Sequence, residues 1–272
     1  MELSLSRRCF LAFPLLVRAQ TSGIRIGCQA NAWPLKQGDF NQLLDALRQM
    51  KALDYSGFEC NIRFVQGQFD RAADARRSIE QTAVRFIGAH MSTKQARPDV
   101  FPKMIEGVAS LGAEAIVMSS APVSVSAVPA KAAEIEALAR TCRRAGLRLA
   151  YHNHNPEFAN HNAEIEALAR HTDPDLVDFM MDCGHGYLGG GNPAEFMTKH
   201  SRRIFGCHLK TYRGTEQVPL GQGDFDFQAL AAAVRETKWS GWLITEEGGG
   251  PKPGDTQAVG PDRRHIRKLF GV

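Results

Sequence analysis

Residues 147–157 read Leu147-Arg148-Leu149-Ala150-Tyr151-His152-Asn153-His154-Asn155-Pro156-Glu157, and residues 177–185 read Val177-Asp178-Phe179-Met180-Met181-Asp182-Cys183-Gly184-His185. Each is a short apolar run that becomes polar and titratable at its C-terminal end. The segment between them, 163–171, is amphipathic with helical period. Strand, helix and strand in that order form a βαβ unit, whose strands pair in parallel through a right-handed crossover.

The same unit recurs on both sides. Strand-like runs lie at 24–29, 57–61, 85–90, 114–119, 147–153, 177–182, 204–209 and 242–246. Helical patterns lie near 39–53, 69–83, 98–111, 129–145, 163–171, 193–201, 225–237 and 256–269. Asp39, Asn192 and Asp224 stand where N-caps belong, and Gly112 and Gly146 where helices end. Eight such units in about 250 residues are the usual content of a closed (β/α)8 TIM barrel. An open doubly wound sheet commonly carries a glycine-rich first turn, and Cys28-Gln29-Ala30-Asn31-Ala32 is not one. The octet Ala-Glu-Ile-Glu-Ala-Leu-Ala-Arg occurs at 133–140 and 163–170 with different flanks, and reads as two similar amphipathic helices. No linker divides residues 20–272, so one barrel domain is expected there.

Residues 1–19 read as a targeting segment. Ser6-Arg7-Arg8-Cys9-Phe10-Leu11 resembles a twin-arginine export signature, followed by an apolar run from Phe10 to Val17 and by Ala19, where a peptidase could cut. That run is too short to span a bilayer. The expectation is a periplasmic or secreted protein with no membrane attachment after removal of the signal. Without these residues the chain has 30 basic and 28 acidic side chains, interspersed. A phosphate-binding surface needs a basic stripe, so nucleic acid is not an expected partner. Cys28, Cys60, Cys183 and Cys207 fall inside apolar runs without zinc-knuckle spacing and read as small buried hydrophobes, with one bridge left open by an oxidising compartment. Self-association is left open too.

Barrel enzymes place their chemistry at the C-terminal ends of strands. Here those ends offer Glu59, His90, the His152-Asn153-His154 run with Glu157, Asp182 with His185, His208 with Lys210, and Glu246 with Glu247. The first and fourth ends offer only amides, Trp33 and serines. Carboxylates and imidazoles converging on one barrel mouth need charge compensation, which a divalent cation supplies. A mixed oxygen and nitrogen donor set suits Mn, Mg, Co or Zn and argues against a soft thiolate site.

In motif order, Tyr151-His152-Asn153-His154 with Glu157-Phe158, Asp182-Cys183-Gly184-His185, His208-Leu209-Lys210, Pro219-Leu220-Gly221-Gln222-Gly223-Asp224-Phe225 and Trp242-Leu243-Ile244-Thr245-Glu246 resemble the xylose isomerase-like barrel superfamily. Its members include ketose 3-epimerases, inosose dehydratases, hydroxypyruvate isomerases and enzymes of 3-keto-glycosides. The resemblance implies one divalent ion held by a carboxylate of the fifth strand, Asp182, His208 and Glu246. Glu157 is read as the fifth-strand ligand, with His152 as its alternative. Glu157 and Glu246 are then expected to trade a proton on opposite faces of the substrate, with His152 and His154 serving proton transfer or substrate contact. Lys210 is expected to neutralise developing charge. Glu59, His90, His185 and Trp33 are expected to line the substrate opening, where Glu59 or His90 could instead pair with a neighbouring strand, His185 could instead be a capping residue, and Trp33 could stack on a sugar ring or simply cover the core.

The implied reaction is metal-dependent isomerisation or epimerisation of a sugar, keto-sugar or polyol, beginning with proton abstraction next to a carbonyl. A dehydratase or 3-keto-glycoside-cleaving lyase shares that first step. An apurinic endonuclease-like hydrolase needs a DNA-binding face, which the near-neutral charge disfavours, and a non-catalytic sugar-binding barrel would have lost its ion. Gly189-Gly190-Gly191 lacks the Lys and Ser or Thr of a nucleotide cradle, and no Gly-x-Ser-x-Gly elbow occurs.

Overall fold

The computed structural model describes residues 23–248 and 256–272. The expected export segment 1–19 and most of the glycine-rich loop after the eighth run lie outside the described residues. Among those described, eight parallel strands close a barrel: β1 (Arg25–Gln29), β2 (Gly57–Asn61), β3 (Arg85–Ser92), β4 (Ala115–Ser119), β5 (Arg148–His152), β6 (Val177–Asp182), β7 (Ile204–Leu209) and β10 (Trp242–Thr245). β1 pairs with both β2 and β10, which leaves no edge strand in the barrel. The helices α1 (Phe40–Ala52), α2 (Ala72–Gln81), α3 (Phe101–Ser110), α4 (Val128–Arg144), α5 (Ala159–His171), α7 (Pro193–His200), α8 (Phe227–Glu236) and α9 (Thr256–Phe270) surround it.

Two cores hold this arrangement. Ile87, Ala115, Val117, Ala150, Met180, Phe205, Trp242 and Ile244 fill the barrel interior, and a larger apolar layer lies between strands and helices. Glycines make room for the big interior side chains: a Cβ on Gly57 would sit 2.6 Å from the Trp242 ring. The N-terminal end of the barrel is closed by ion pairs, with Arg25 and Arg85 on Glu114 and Arg148 on Asp178.

Local chemistry explains the helix ends. Asp39 and Asn192 accept from Gln42 N and Glu195 N as N-caps, and Gly112 and Gly146 follow α3 and α4 at positive φ. Asp224 was expected to cap α8 but does not. Asp226 accepts from Ala229 N instead, while Asp224 accepts from Gly214 N and steadies a hairpin of β8 (Thr211–Arg213) and β9 (Glu216–Val218). That hairpin and the short helix α6 (Cys183–Leu188) had not been expected.

Regular α5 begins at residue 163, because Asn160, His161 and Asn162 form a left-handed turn with φ of 51, 60 and 64°. Asn162 uses that turn to accept from Asn192 N at 2.9 Å, tying the loop after β5 to the start of α7. Cys28, Cys60, Cys142, Cys183 and Cys207 are all buried free thiols.

Candidate metal centre

Side chains alternate across a strand, so every second residue faces the barrel axis. In β5 this puts Ala150 inside and Tyr151 in the outer layer, and the same alternation carries His152 inward. Met180 and Asp182 in β6, and Ile244 and Glu246 in and just after β10, follow the same rule. His152, Asp182, His208 and Glu246 are buried, and one donor atom of each lies within 4.8 Å of the others.

Within this cluster His208 Nδ1 is 2.8 Å from Glu246 Oε2, and Asp182 Oδ2 is 3.4 Å from His152 Nε2 and 3.9 Å from His208 Nδ1. Lys210 Nζ approaches Asp182 Oδ2 at 2.8 Å and Glu246 Oε2 at 3.2 Å. These are charge contacts without hydrogen-bond alignment. Among the described residues His152 Nε2, Asp182 Oδ2, His208 Nδ1 and Glu246 Oε2 have no aligned hydrogen bond, although all four are buried. Buried polar atoms left without a partner are costly unless a bound group satisfies them. Two imidazole nitrogens and two carboxylate oxygens converging from four strands fit a divalent cation.

Neighbouring side chains prepare those donors. His208 Nε2 lies 2.9 Å from Glu59, which also accepts from Gln29 Nε2 at 2.7 Å and faces His90 Nδ1 at 3.4 Å. A carboxylate on the far nitrogen fixes the ring and leaves Nδ1 toward the centre. Burial would raise the Glu59 carboxyl, but the His208 charge and the hydrogen bonds from His208 and His90 together hold it at about 2. Burial likewise opposes charge on His208, and Glu59 and Glu246 overcome it, keeping the imidazole protonated well above its usual range. Against burial, Lys210 and then His185 hold Asp182 well below the usual carboxylate range, while burial drives His152 well below the usual imidazole range.

Above the cluster opens a cavity of about 680 Å³. Its wall includes Gln29, Asn61, His90, His152, His154, His185, Lys210, Tyr212, Gln217 and Glu246. His185 N is bonded to Asp182 Oδ1 at 2.7 Å, with Asp182 capping α6. Its Nδ1 lies 2.6 Å from Asn155 Oδ1, so that nitrogen carries the proton and Nε2 keeps its lone pair. Burial lowers both His154 and His185.

Three expectations require correction. Glu157 is fully buried on the other side of β5, accepting from Tyr151 OH at 2.8 Å and His154 N at 3.2 Å, with Lys131 Nζ 3.7 Å away. The turn after β5 sends it into the layer between strand and helices, so the fifth-strand place in the cluster belongs to His152. Glu59 is fully buried behind His208, not on the cavity wall, because β2 brings it to the far nitrogen of that ring. Trp33 is 7% exposed and donates from Nε1 to Gln49 of α1 at 2.9 Å, which makes it a cover for the core.

Gln29, Arg63, Tyr212 and Gln217 also belong to the site, and the sequence motifs gave them no role. Gln29 left a signal, an amide at the end of β1 that reaches Glu59, whereas the other three depend on how loops return over the mouth.

The profile of the family described as "Xylose isomerase-like TIM barrel" matches residues 47–269. The chain belongs to that family. It is 32% identical over 128 residues to the inosose dehydratase of Geobacillus kaustophilus (strain HTA426), a match covering 40% of this chain and 41% of that protein. The chain thus spans about two-fifths of that curated relative's length. A sugar phosphate isomerase/epimerase from Parabacteroides distasonis superposes with a TM-score of 0.70 at 19% identity, over 92% of this chain and 95% of the other. The IOLI protein with a binding zinc atom superposes with a TM-score of 0.71 at 13% identity, over 91% and 98%. At such identities the structural likeness concerns the fold.

Proposed function

We propose that this chain is a divalent-metal-dependent enzyme that removes a proton next to a carbonyl on a sugar, keto-sugar or polyol. One observation carries the reading: four buried donor atoms of His152, Asp182, His208 and Glu246 converge without aligned hydrogen bonds at the floor of a polar cavity. His152, Asp182, His208 and Glu246 would hold the ion, with Mn, Mg, Co or Zn compatible with the donor set. When bound, the ion supplies electrostatic stabilisation of the negative charge that develops as the proton leaves.

The chain's own groups divide the remaining work. His185 presents an unprotonated Nε2 to the cavity, and His154 stands beside it with ring centroids 5.1 Å apart. Either is a proton acceptor on that wall. Lys210, held cationic by Asp182 and Glu246 against its burial, donates toward developing negative charge. Gln29, Asn61 and Gln217 offer amides suited to hydroxyl groups.

Isomerisation or epimerisation returns the proton to carbon. Dehydration expels a β-hydroxyl instead, and two observations favour keeping that second reading: the sequence match to an inosose dehydratase, and an imidazole where a proton-trading pair needs a fifth-strand carboxylate. Incubation with keto-sugars and keto-inositols in deuterated water decides between them. Deuterium in recovered sugar marks isomerase or epimerase chemistry, loss of water marks a lyase, and neither outcome with protein that also holds no metal overturns the proposal. The Arg7-Arg8 pair and the run from Phe10 to Val17 support export to the periplasm or beyond, which fractionation of cells with and without twin-arginine transport tests.

A further inference from the structure

Residues 59, 61 and 63 lead from behind the cluster onto the cavity wall in steps of two. Glu59 lies buried behind His208, Asn61 stands on the wall at the end of β2, and Arg63 joins the wall from the short turn that follows. At about 3.3 Å per residue, at most ~13 Å of chain separates the two ends. Arg63 is held ready: Asn61 Oδ1 accepts from its backbone N at 3.1 Å, and its guanidinium lies over the Phe64 ring at 4.7 Å. No acid pairs with the Arg63 guanidinium among the described residues.

Lys210, the buried cation of the cavity wall, is paired with Asp182 and Glu246. Arg63 stands on the same wall beside Asn31, Asn61 and Gln217, without such an acidic partner among the described residues. Guanidinium forks match carboxylate and phosphate oxygens in a bidentate way that a hydroxyl cannot.

We propose that Arg63 binds an anionic substituent of the ligand, so that the site takes a polyhydroxylated anion with its reacting end at the ion and its acid group at Arg63. This rests on the function proposed above and narrows its substrate class to acidic sugars.

The test uses the full chain loaded with Mn, after a metal titration of wild type and Arg63→Gln. Equal metal affinity in the two is expected, since Arg63 touches none of the four donors. Failure of wild type to hold the ion overturns the underlying functional reading and this inference with it. Calorimetric binding of D-glucuronate, its uncharged methyl ester and D-glucose 6-phosphate then follows. A charge-assisted bidentate contact favours a charged probe over the neutral ester by roughly ten-fold or more. That preference is expected in wild type, to shrink between about 0.05 and 0.5 M salt, and to vanish in Arg63→Gln while the ester binds as before. Tightest binding of glucuronate assigns a carboxylate, and tightest binding of the 6-phosphate assigns a phosphate. A metal-loaded wild type that binds none of the probes, or binds ester and acid alike, or an Arg63→Gln protein that keeps the preference, overturns the inference.

Discussion

Asn153 grips the main chain of Asp182 at both ends of its carboxamide: Oδ1 accepts from Asp182 N at 2.8 Å, and Nδ2 donates to Asp182 O at 3.1 Å. The last register pair between β5 and β6 is His152 with Met180. Asn153 thus continues the ladder with a side chain where the β5 backbone turns away. Asn153→Asp keeps the acceptor and sets a carboxylate against the Asp182 carbonyl. Metal affinity is expected to fall about 10–100-fold, the usual cost of disturbing a group behind a ligand, and metal titration of the purified variant measures it. Unchanged affinity would make Asn153 a packing residue.

His152 and Glu157 give opposite expectations. His152→Ala removes one of the four converging donors, so the protein is expected to lose the ion and its activity together. Glu157→Gln keeps the shape of the turn and touches none of the donors, so metal content is expected to stay at the wild-type level. Elemental analysis after dialysis reads both, and loss of metal in Glu157→Gln would return that residue to the ligand set.

Lys131 is buried with its Nζ 2.5 Å from Glu164 and 3.7 Å from Glu157. Lys131→Met leaves two buried carboxylates without their cation. Destabilisation of about 3–5 kcal/mol is expected, read as a shift of the urea midpoint. A variant as stable as wild type would mean that the cluster relaxes by taking up a proton.

The response to pH has a definite sign. A raised imidazole contributes stability below its ordinary value of 6.5 and loses it as pH rises through the elevated value, which is the case for His208. A depressed carboxyl contributes above 4.5 and loses its contribution as pH falls toward about 2, which is the case for Glu59. Chelated protein is therefore expected to lose stability on acidification below about 4.5. Ion binding must displace the proton of His208 Nδ1, so metal affinity is expected to climb as pH rises from 6 to 8. Affinity that is flat across this range would show His208 to be already neutral.

The barrel was legible because its signals are local. Apolar runs of five to seven residues, capped helices between them and titratable strand ends are properties of neighbours in the chain, and the eight runs match the observed strands to within two residues at each end. Asp182, His208 and Glu246 could be singled out for the same reason, each standing at or just beyond the end of such a run. Asp224 and Asp226 show where local reading fails, since both are acids before an apolar helix and only the β8–β9 hairpin decides which one is free to cap.

Periodicity assigns a side chain to a face only while the strand lasts. By itself the sequence determined the eightfold unit and the residue types at the barrel mouth. Alternation along β5 carries His152 inward, but it did not determine that Glu157 turns outward, because the chain leaves the pleat at Asn153 and its later path depends on Tyr151, Lys131 and Asp182. The Gln29, Glu59 and His208 relay joins three strands through contacts 30 and 149 residues apart in sequence. Only closure of the barrel brings them into contact, since burial makes such polar groups find partners across the fold.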